Sequence, residues 1–276
     1  MTIRITLCAD DYGISPAVDV AIRDLVVRGR LNATSVMVVA PSFGRAEAGA
    51  LAALNSTAPR VAIGLHLTLT APFHPLSPRF APLIDGAFPP LGTMLRLAVL
   101  RRFVREALAA EIASQVQAFR DAFGRAPDFV DGHQHVHVFP QIGDAVLAVV
   151  KESAPQAWVR QCGRVLPLAA RLADRKGLLL DLLSHRFRRR AAALGVRTNP
   201  AFAGTYRFDD TAEFAQVFPR FLQGLPDDSL VMCHPGFVDD ELQRLDSLTT
   251  LREKEYAYFA AEEFLDVLAT HGVALA

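Results

Sequence analysis

The sequence lacks several features that would have settled its class at once. It has no run of the 18 or so apolar residues that a membrane span needs. Its 29 Lys and Arg balance 29 Asp and Glu. A net charge of zero gives no electrostatic argument for nucleic acid, and no nucleic-acid partner is expected. Cysteine is scarce: three residues, an odd number in 276, do not make a disulfide framework. The opening "MTIRITLCAD" lacks the apolar core of a signal peptide, so the expected location is the cytoplasm. No GxGxxG follows the first apolar run and no GxxxxGK[ST] occurs anywhere, which removes support for dinucleotide and P-loop sites. Low-complexity tracts, linkers and fixed-period repeats are absent too.

What is present is alternation. Short apolar runs ("IRITLCAD", "ATSVMVVA", "VAIGLHLTLT", "PDFVDGHQHVHV", "AWVRQCG", "SLVMCHPG") read as strands. Between them lie helical patterns. The first, "SPAVDVAIRDLVVRG", has a Ser-Pro start and a closing Gly. "EALAAEIASQVQAFRDAFG" ends on Gly124 as a C-cap. In "FAQVFPRFLQGL", Pro219 marks an expected break, and "LREKEYAYFAAEEFLDVLATHG" reads as one final helix. Repeated β-then-α units imply a parallel sheet packed with helices. At this length a single α/β domain is expected over residues 1–276, a TIM-like (β/α) barrel. Six or seven recognisable strands make that barrel irregular, with fewer than eight regular strands.

Histidine is unevenly spread. Three of the eight, His133, His135 and His137, fall in "DGHQHVHVFP". On an extended strand they and Asp131 would share one face. At about 3.3 Å per residue, His133 and His137 would stand roughly 13 Å apart. Metal–ligand bonds are about 2 Å, so one ion cannot take all three from a straight strand. Other polar residues fall at or near strand ends: Asp10 and Asp11 close the first, His66 sits in the third, His234 follows "LVMC". A parallel α/β fold gathers the C-terminal ends of its strands on one face, where active sites lie. Each cluster also has a plain reading: a turn for Asp10-Asp11-Tyr12-Gly13, a hydrogen-bonded core side chain for His66, a loop entry for His234. Their coincidence at strand ends argues for a site. Cys8 and Cys233 read as small packing residues.

"ADDYG", "GLHLTLT", "DGHQHVHVFPQI" and "MCHPGFVD" together, in this order and spacing, resemble the motifs of the YdjC-like carbohydrate deacetylases. The resemblance implies a TIM-like barrel, one divalent metal ion, and hydrolysis of an N-acetyl group on an amino sugar. By motif position it makes Asp11, His66 and His133 the metal ligands and Asp10 the general base. Asp131, His135 and His137 are then left to orient ligands or meet substrate. Tyr12 stands where relatives often have Phe, and Gly132 and Gln134 replace the Ser and His of "DSHHHVH". Residues 166–202, a basic helical insertion, resemble the hopanoid-biosynthesis-associated branch.

Chemistry completes the expectation. Amide hydrolysis needs an activated water, oxyanion stabilisation and a proton for the departing amine. His234 is the candidate acid, and Arg160, after "AWV", a candidate for substrate contact or support. Zn or Mg leads among the metals, with Mn, Fe and Co compatible. Residues 178–197 set Arg186, Arg188, Arg189 and Arg190 beside a leucine-rich stretch, which suits a weak, peripheral contact with the inner membrane face. A homodimer is also compatible. Two other functions fit the same residues: a metal phosphoesterase on a similar barrel, which would need more carboxylates, and a non-catalytic glycan-binding protein, which would not need both Asp10 and Asp11.

Overall fold

The computed structural model describes residues 2–56, 61–165, 174–209 and 211–276. Part of the expected insertion, residues 166–173, lies outside the described residues.

The centre is β1 (Ile3–Tyr12), buried without interruption from Leu7 to Tyr12. Its apolar run is continuous rather than alternating because both faces of a parallel sheet are covered. On one side it pairs with β2 (Ala33–Val36), which leads to β3 (Ala62–Leu67), β4 (Phe129–Gly132) and β5 (Trp158–Val159). On the other it pairs with β7 (Ser229–Cys233), which carries β6 (Phe202–Ala203). A short β8 (Val273–Leu275) pairs with the start of β1. All these pairings are parallel. The sheet curls into an irregular half-barrel whose edges meet through two isolated bridges, Val159 to Thr198 and Arg164 to Phe202. The α/β barrel expected from the alternation is therefore the architecture observed. Eight strands are present among the described residues, and β5, β6 and β8 are only two or three residues long.

Helices cover the outside. In α1 (Pro16–Val27), Ser15 caps the first turn by accepting the Val18 N–H, and Val18, Ile22 and Leu25 face the sheet. Then come α2 (Arg45–Ala53), α3 (Leu91–Val99) and α4 (Arg105–Phe123), the last closed by Gly124 at φ 68°. They are followed by α5 (Pro140–Ser153), α6 (Arg175–Leu194), α7 (Phe214–Phe221), α8 (Asp240–Leu245), α9 (Thr250–Ala260) and α10 (Glu263–Thr270).

Three local expectations are corrected. Pro219 does not break its helix: α7 runs through it, held by Phe214 and Phe218 against Phe259. The final helix is two helices, parted where Ala261 turns extended. Phe259 and Phe264 both pack on Phe218, at 5.2 and 5.6 Å. Five residues apart, they would point about 140° away from each other on one continuous helix, and the break brings them to one cluster. The third correction concerns the histidine run. The strand ends at Gly132, and His133–Val138 form a tight helical turn in which Gln134 and His135 adopt φ of 52° and 59°. The three histidines therefore do not share a strand face.

Candidate metal centre

Asp11 is the hub. It stands at the end of β1 in the left-handed region, φ 70°, a conformation that Asp and Asn tolerate better than most residues. That twist directs its carboxylate toward the neighbouring strand ends. Its Oδ1 lies 3.2 Å from His66 Nε2 and 3.0 Å from His133 Nδ1. Donor atoms of Asp11, His66 and His133 all fall within 4.8 Å of one another, and all three side chains are buried.

The surroundings fix which atoms face inward. His66 Nδ1 donates to Asp131 Oδ1 at 2.7 Å, on the adjacent strand. A neutral His66 then presents the lone pair of Nε2 to an ionised carboxylate, and two acceptors at 3.2 Å need a positive charge between them. Burial alone would lower the His66 pKa, but the carboxylates of Asp131 and Asp10 overcome it and raise it to about 10. The pocket thus favours a cation at this position. A divalent ion on one carboxylate and two imidazoles, with an outer carboxylate orienting one histidine, fits the residues present.

Beside the hub, Asp10 is gripped by Arg160. Nη1 donates to Oδ2 and Nη2 to Oδ1, both at 2.6 Å. Arg160 also pairs with Asp131 Oδ2. Burial would raise the Asp10 pKa, but the guanidinium and His66 hold it well below the usual carboxylate range. Arg160 is fully buried, so its place is beneath the pair of carboxylates rather than at a substrate surface. Ser35 adds a hydrogen bond to Asp10 Oδ1 at 3.3 Å.

The other histidines separate by position. His137 Nε2 donates to the Arg160 carbonyl at 2.9 Å, so it braces the residue that holds Asp10. A Cβ on Gly132 would meet His137 Nδ1 at 2.9 Å, so a serine there could not coexist with this ring position. His135 is half-buried, with Nδ1 3.7 Å from Cys162 Sγ and its ring against Phe202. Burial lowers the pKa of both, so both are neutral. His234, half-buried at the end of β7, donates its backbone N–H to Glu255 Oε2 at 2.5 Å and meets Phe208 edge-on. Burial lowers its pKa as well. Cys8 and Cys233 are buried, as expected of packing residues.

Three participants were not anticipated. Arg252, fully buried on α9, donates to Asp11 Oδ2 and to Asp246 Oδ2, each at 2.6 Å. Glu255, one turn on, supports His234 and accepts from the Tyr206 hydroxyl at 2.7 Å. Ser35 lies in the middle of a strand. None carries a local sequence signal, because each acts through partners distant in the chain.

The turn after Asp11 has its own anchor. Asp19 is buried, and its Oδ1 accepts the Gly13 N–H at 2.5 Å. Burial pushes its pKa up to about 8, against the pull of that hydrogen bond. Near pH 6 the native carboxyl keeps its proton, whereas the unfolded one, with a pKa near 3.9, has lost it. The native state binds more protons, so this group's contribution to stability falls as pH rises from about 4 to about 8. Asp19→Asn keeps the acceptor and removes the titration. Urea unfolding at pH 5 and pH 8 is expected to show a smaller difference in the variant than in the wild type.

The model of the YdjC-like protein family matches residues 4–270. The chain belongs to the YdjC-like family. Its fold is also that of a protein from Enterococcus faecalis proposed to cleave cellobiose phosphate, with 24% identity over 100% of this chain and 97% of that one and a TM-score of 0.74. Fainter likenesses follow. The Xyl-CE4 domain of a multidomain xylanase from the hindgut metagenome of Trinervitermes trinervoides has 8% identity over 100% of this YdjC-like chain and 87% of that one, TM-score 0.48. A family 4 carbohydrate esterase from Streptomyces lividans, in complex with acetate, has 10% identity over 99% and 91%, TM-score 0.43.

Proposed function

We propose that this chain is a carbohydrate deacetylase: a metal-dependent hydrolase that removes the N-acetyl group from an acetylated amino sugar. The observation that carries this reading is the pairing of Asp11, His66 and His133 as a compact donor set with an ionised carboxylate, Asp10, on the adjoining residue. The ion would be held by Asp11, His66 and His133. Asp/His ligation suits Zn, with Mg, Mn, Fe and Co as the other candidates. When bound, it supplies Lewis acidity toward a water and a carbonyl oxygen.

The remaining work falls to the chain. Asp10 acts as general base. Each carboxylate oxygen has two lone pairs; Oδ2 gives one to Arg160 and keeps one for the proton it removes. Arg160 keeps Asp10 ionised across the working pH, which secures the acceptor and lowers its basicity. Asp131 holds His66 in the orientation that turns Nε2 toward Asp11. His234 is the acid for the departing amine. It enters the cycle neutral and must first gain a proton, which the nearby Asp10 and Asp11 charges favour.

A two-ion phosphoesterase fits less well. The second cluster of acidic and thiol donors, Cys8, Asp10 and Asp131, is already filled by the Arg160 guanidinium. The substrate class spans N-acetylglucosamine-type oligosaccharides and glycolipids, including a hopanoid-linked sugar, for which the character of residues 166–202 is the support.

Acetate release from a panel of N-acetylated saccharides and glycolipids, with each metal in turn, tests the activity. Asp10→Asn is expected to cut turnover by about 100-fold or more while one ion per chain is retained. An Asp10→Asn enzyme at full speed would remove Asp10 from the role of base.

A further inference from the structure

Among the described residues no helix is long and apolar enough to cross a membrane. Yet five large apolar side chains left in solvent fall on two neighbouring elements. At the corner between α3 and α4, Val99, Leu100 and Val104 are 53%, 54% and 61% exposed. On α6, Leu179 and Leu182 are 44% and 62% exposed. Exposed arginines surround both groups: Arg96, Arg102 and Arg105 at the corner, Arg186 and Arg189 on the helix.

The two elements are 70 residues apart in sequence but adjoin in space. Asp144 on α5 joins them, pairing Arg101 Nη2 at 3.1 Å and Arg190 Nε at 3.3 Å. On α6 the buried residues Asp181, Ser184, Phe187 and Ala191 form the inner face. Leu179, Leu182, Arg186 and Arg189 recur at i, i+3 and i+4 spacing on the opposite face. Asp144 and Glu106 offer little negative charge against so many guanidinium groups, so the face is cationic and apolar at once.

We propose that the α3–α4 corner and α6 form one docking surface for an anionic lipid membrane. The charge selects the partner: cationic side chains with interspersed aliphatic ones match acidic headgroups above an acyl layer. A nucleic acid would reward the arginines and leave Val99, Leu100, Val104 and Leu182 without a purpose. The sequence pattern pointed only to α6; the second element is visible only once the chain is folded. Both elements flank the turn that carries His133, with Phe187 of α6 edge-on to His137 at 5.9 Å. Docking here would set the membrane against the outer face of the helix whose inner face supports that turn. The proposal does not depend on the deacetylase reading.

The test is co-sedimentation of the full chain with phosphatidylcholine vesicles, with and without phosphatidylglycerol, at low and high salt. Binding is expected only with the anionic lipid, and salt should abolish it. Each surface arginine contributes about fivefold to such binding. Arg186→Glu/Arg189→Glu and, separately, Arg102→Glu/Arg105→Glu should each weaken it by at least about 20-fold, with unchanged circular dichroism. Loss in the α6 variant alone would overturn the two-element surface. Equal binding to neutral vesicles, no binding at all, tighter binding to a homopolymeric RNA, or a concentration-dependent dimer abolished by these variants would overturn the membrane as partner.

Discussion

Arg160→Met is expected to lower the unfolding free energy by roughly 3–5 kcal/mol, the cost of removing one partner from a buried ion pair. The side chain is fully buried and is the shared counter-charge of Asp10 and Asp131. Methionine fills much of the volume but leaves two carboxylates facing each other. Asp131 keeps its bond to His66, and Asp10 falls back on Ser35 and a thiol contact from Cys8. Without the guanidinium that holds its pKa down, Asp10 should then take up its proton at higher pH. For a chain of this size the melting temperature should fall by about 10 °C. The double variant Arg160→Met/Asp10→Asn relieves the repulsion and should regain part of the loss, because the two residues form one network. If Arg160→Met unfolds at the wild-type temperature, the guanidinium is not the element that holds these charges.

Asp11→Asn is expected to reduce bound metal from one ion per chain to a trace, and acetate release by at least about 1000-fold. The substitution is chosen because Asn accepts the positive φ of this position. It keeps an oxygen but removes the negative charge that His66 Nε2 and His133 Nδ1 face. It also takes the partner from one Arg252 hydrogen bond, leaving Asp246 as that guanidinium's remaining carboxylate. Elemental analysis after stripping and reloading measures the metal independently of turnover. Full loading in Asp11→Asn would show that Asp11 is not needed to hold the ion.

Much of the fold could be read from the sequence because the parallel sheet writes itself as apolar runs bounded by turn residues. The long β1 and the capped helices α1 and α4 are examples. Strand ends carrying Asp10, Asp11, His66 and His234 were legible for the same reason. The histidine run was not. Alternation in "DGHQHVHV" mimics a strand, and nothing local announces that Gln134 and His135 adopt positive φ. That conformation depends on Gly132 admitting the His137 ring and on His137 reaching the Arg160 carbonyl, both tertiary facts. Arg252 and Glu255 were hidden likewise: on a charged helical stretch, a buried arginine and a buried glutamate look like solvent-facing neighbours. Arg160 was visible as a candidate, but its partners were not.

Where β5 and β6 approach each other, the described residues form no ladder; two single bridges span the gap. Any strand held on both flanks loses several hydrogen bonds at once if its length changes, and β1 is in that position. Chain added between Val159 and Phe202 disturbs no such ladder. The fold therefore has a seam where the connections around α6 can take added length at little energetic penalty, while Arg160 and the buried face of α6 stay in place. Across proteins of this architecture, divergence in length should gather at the seam, while the strand ends bearing Asp11, His66 and His133 stay in register.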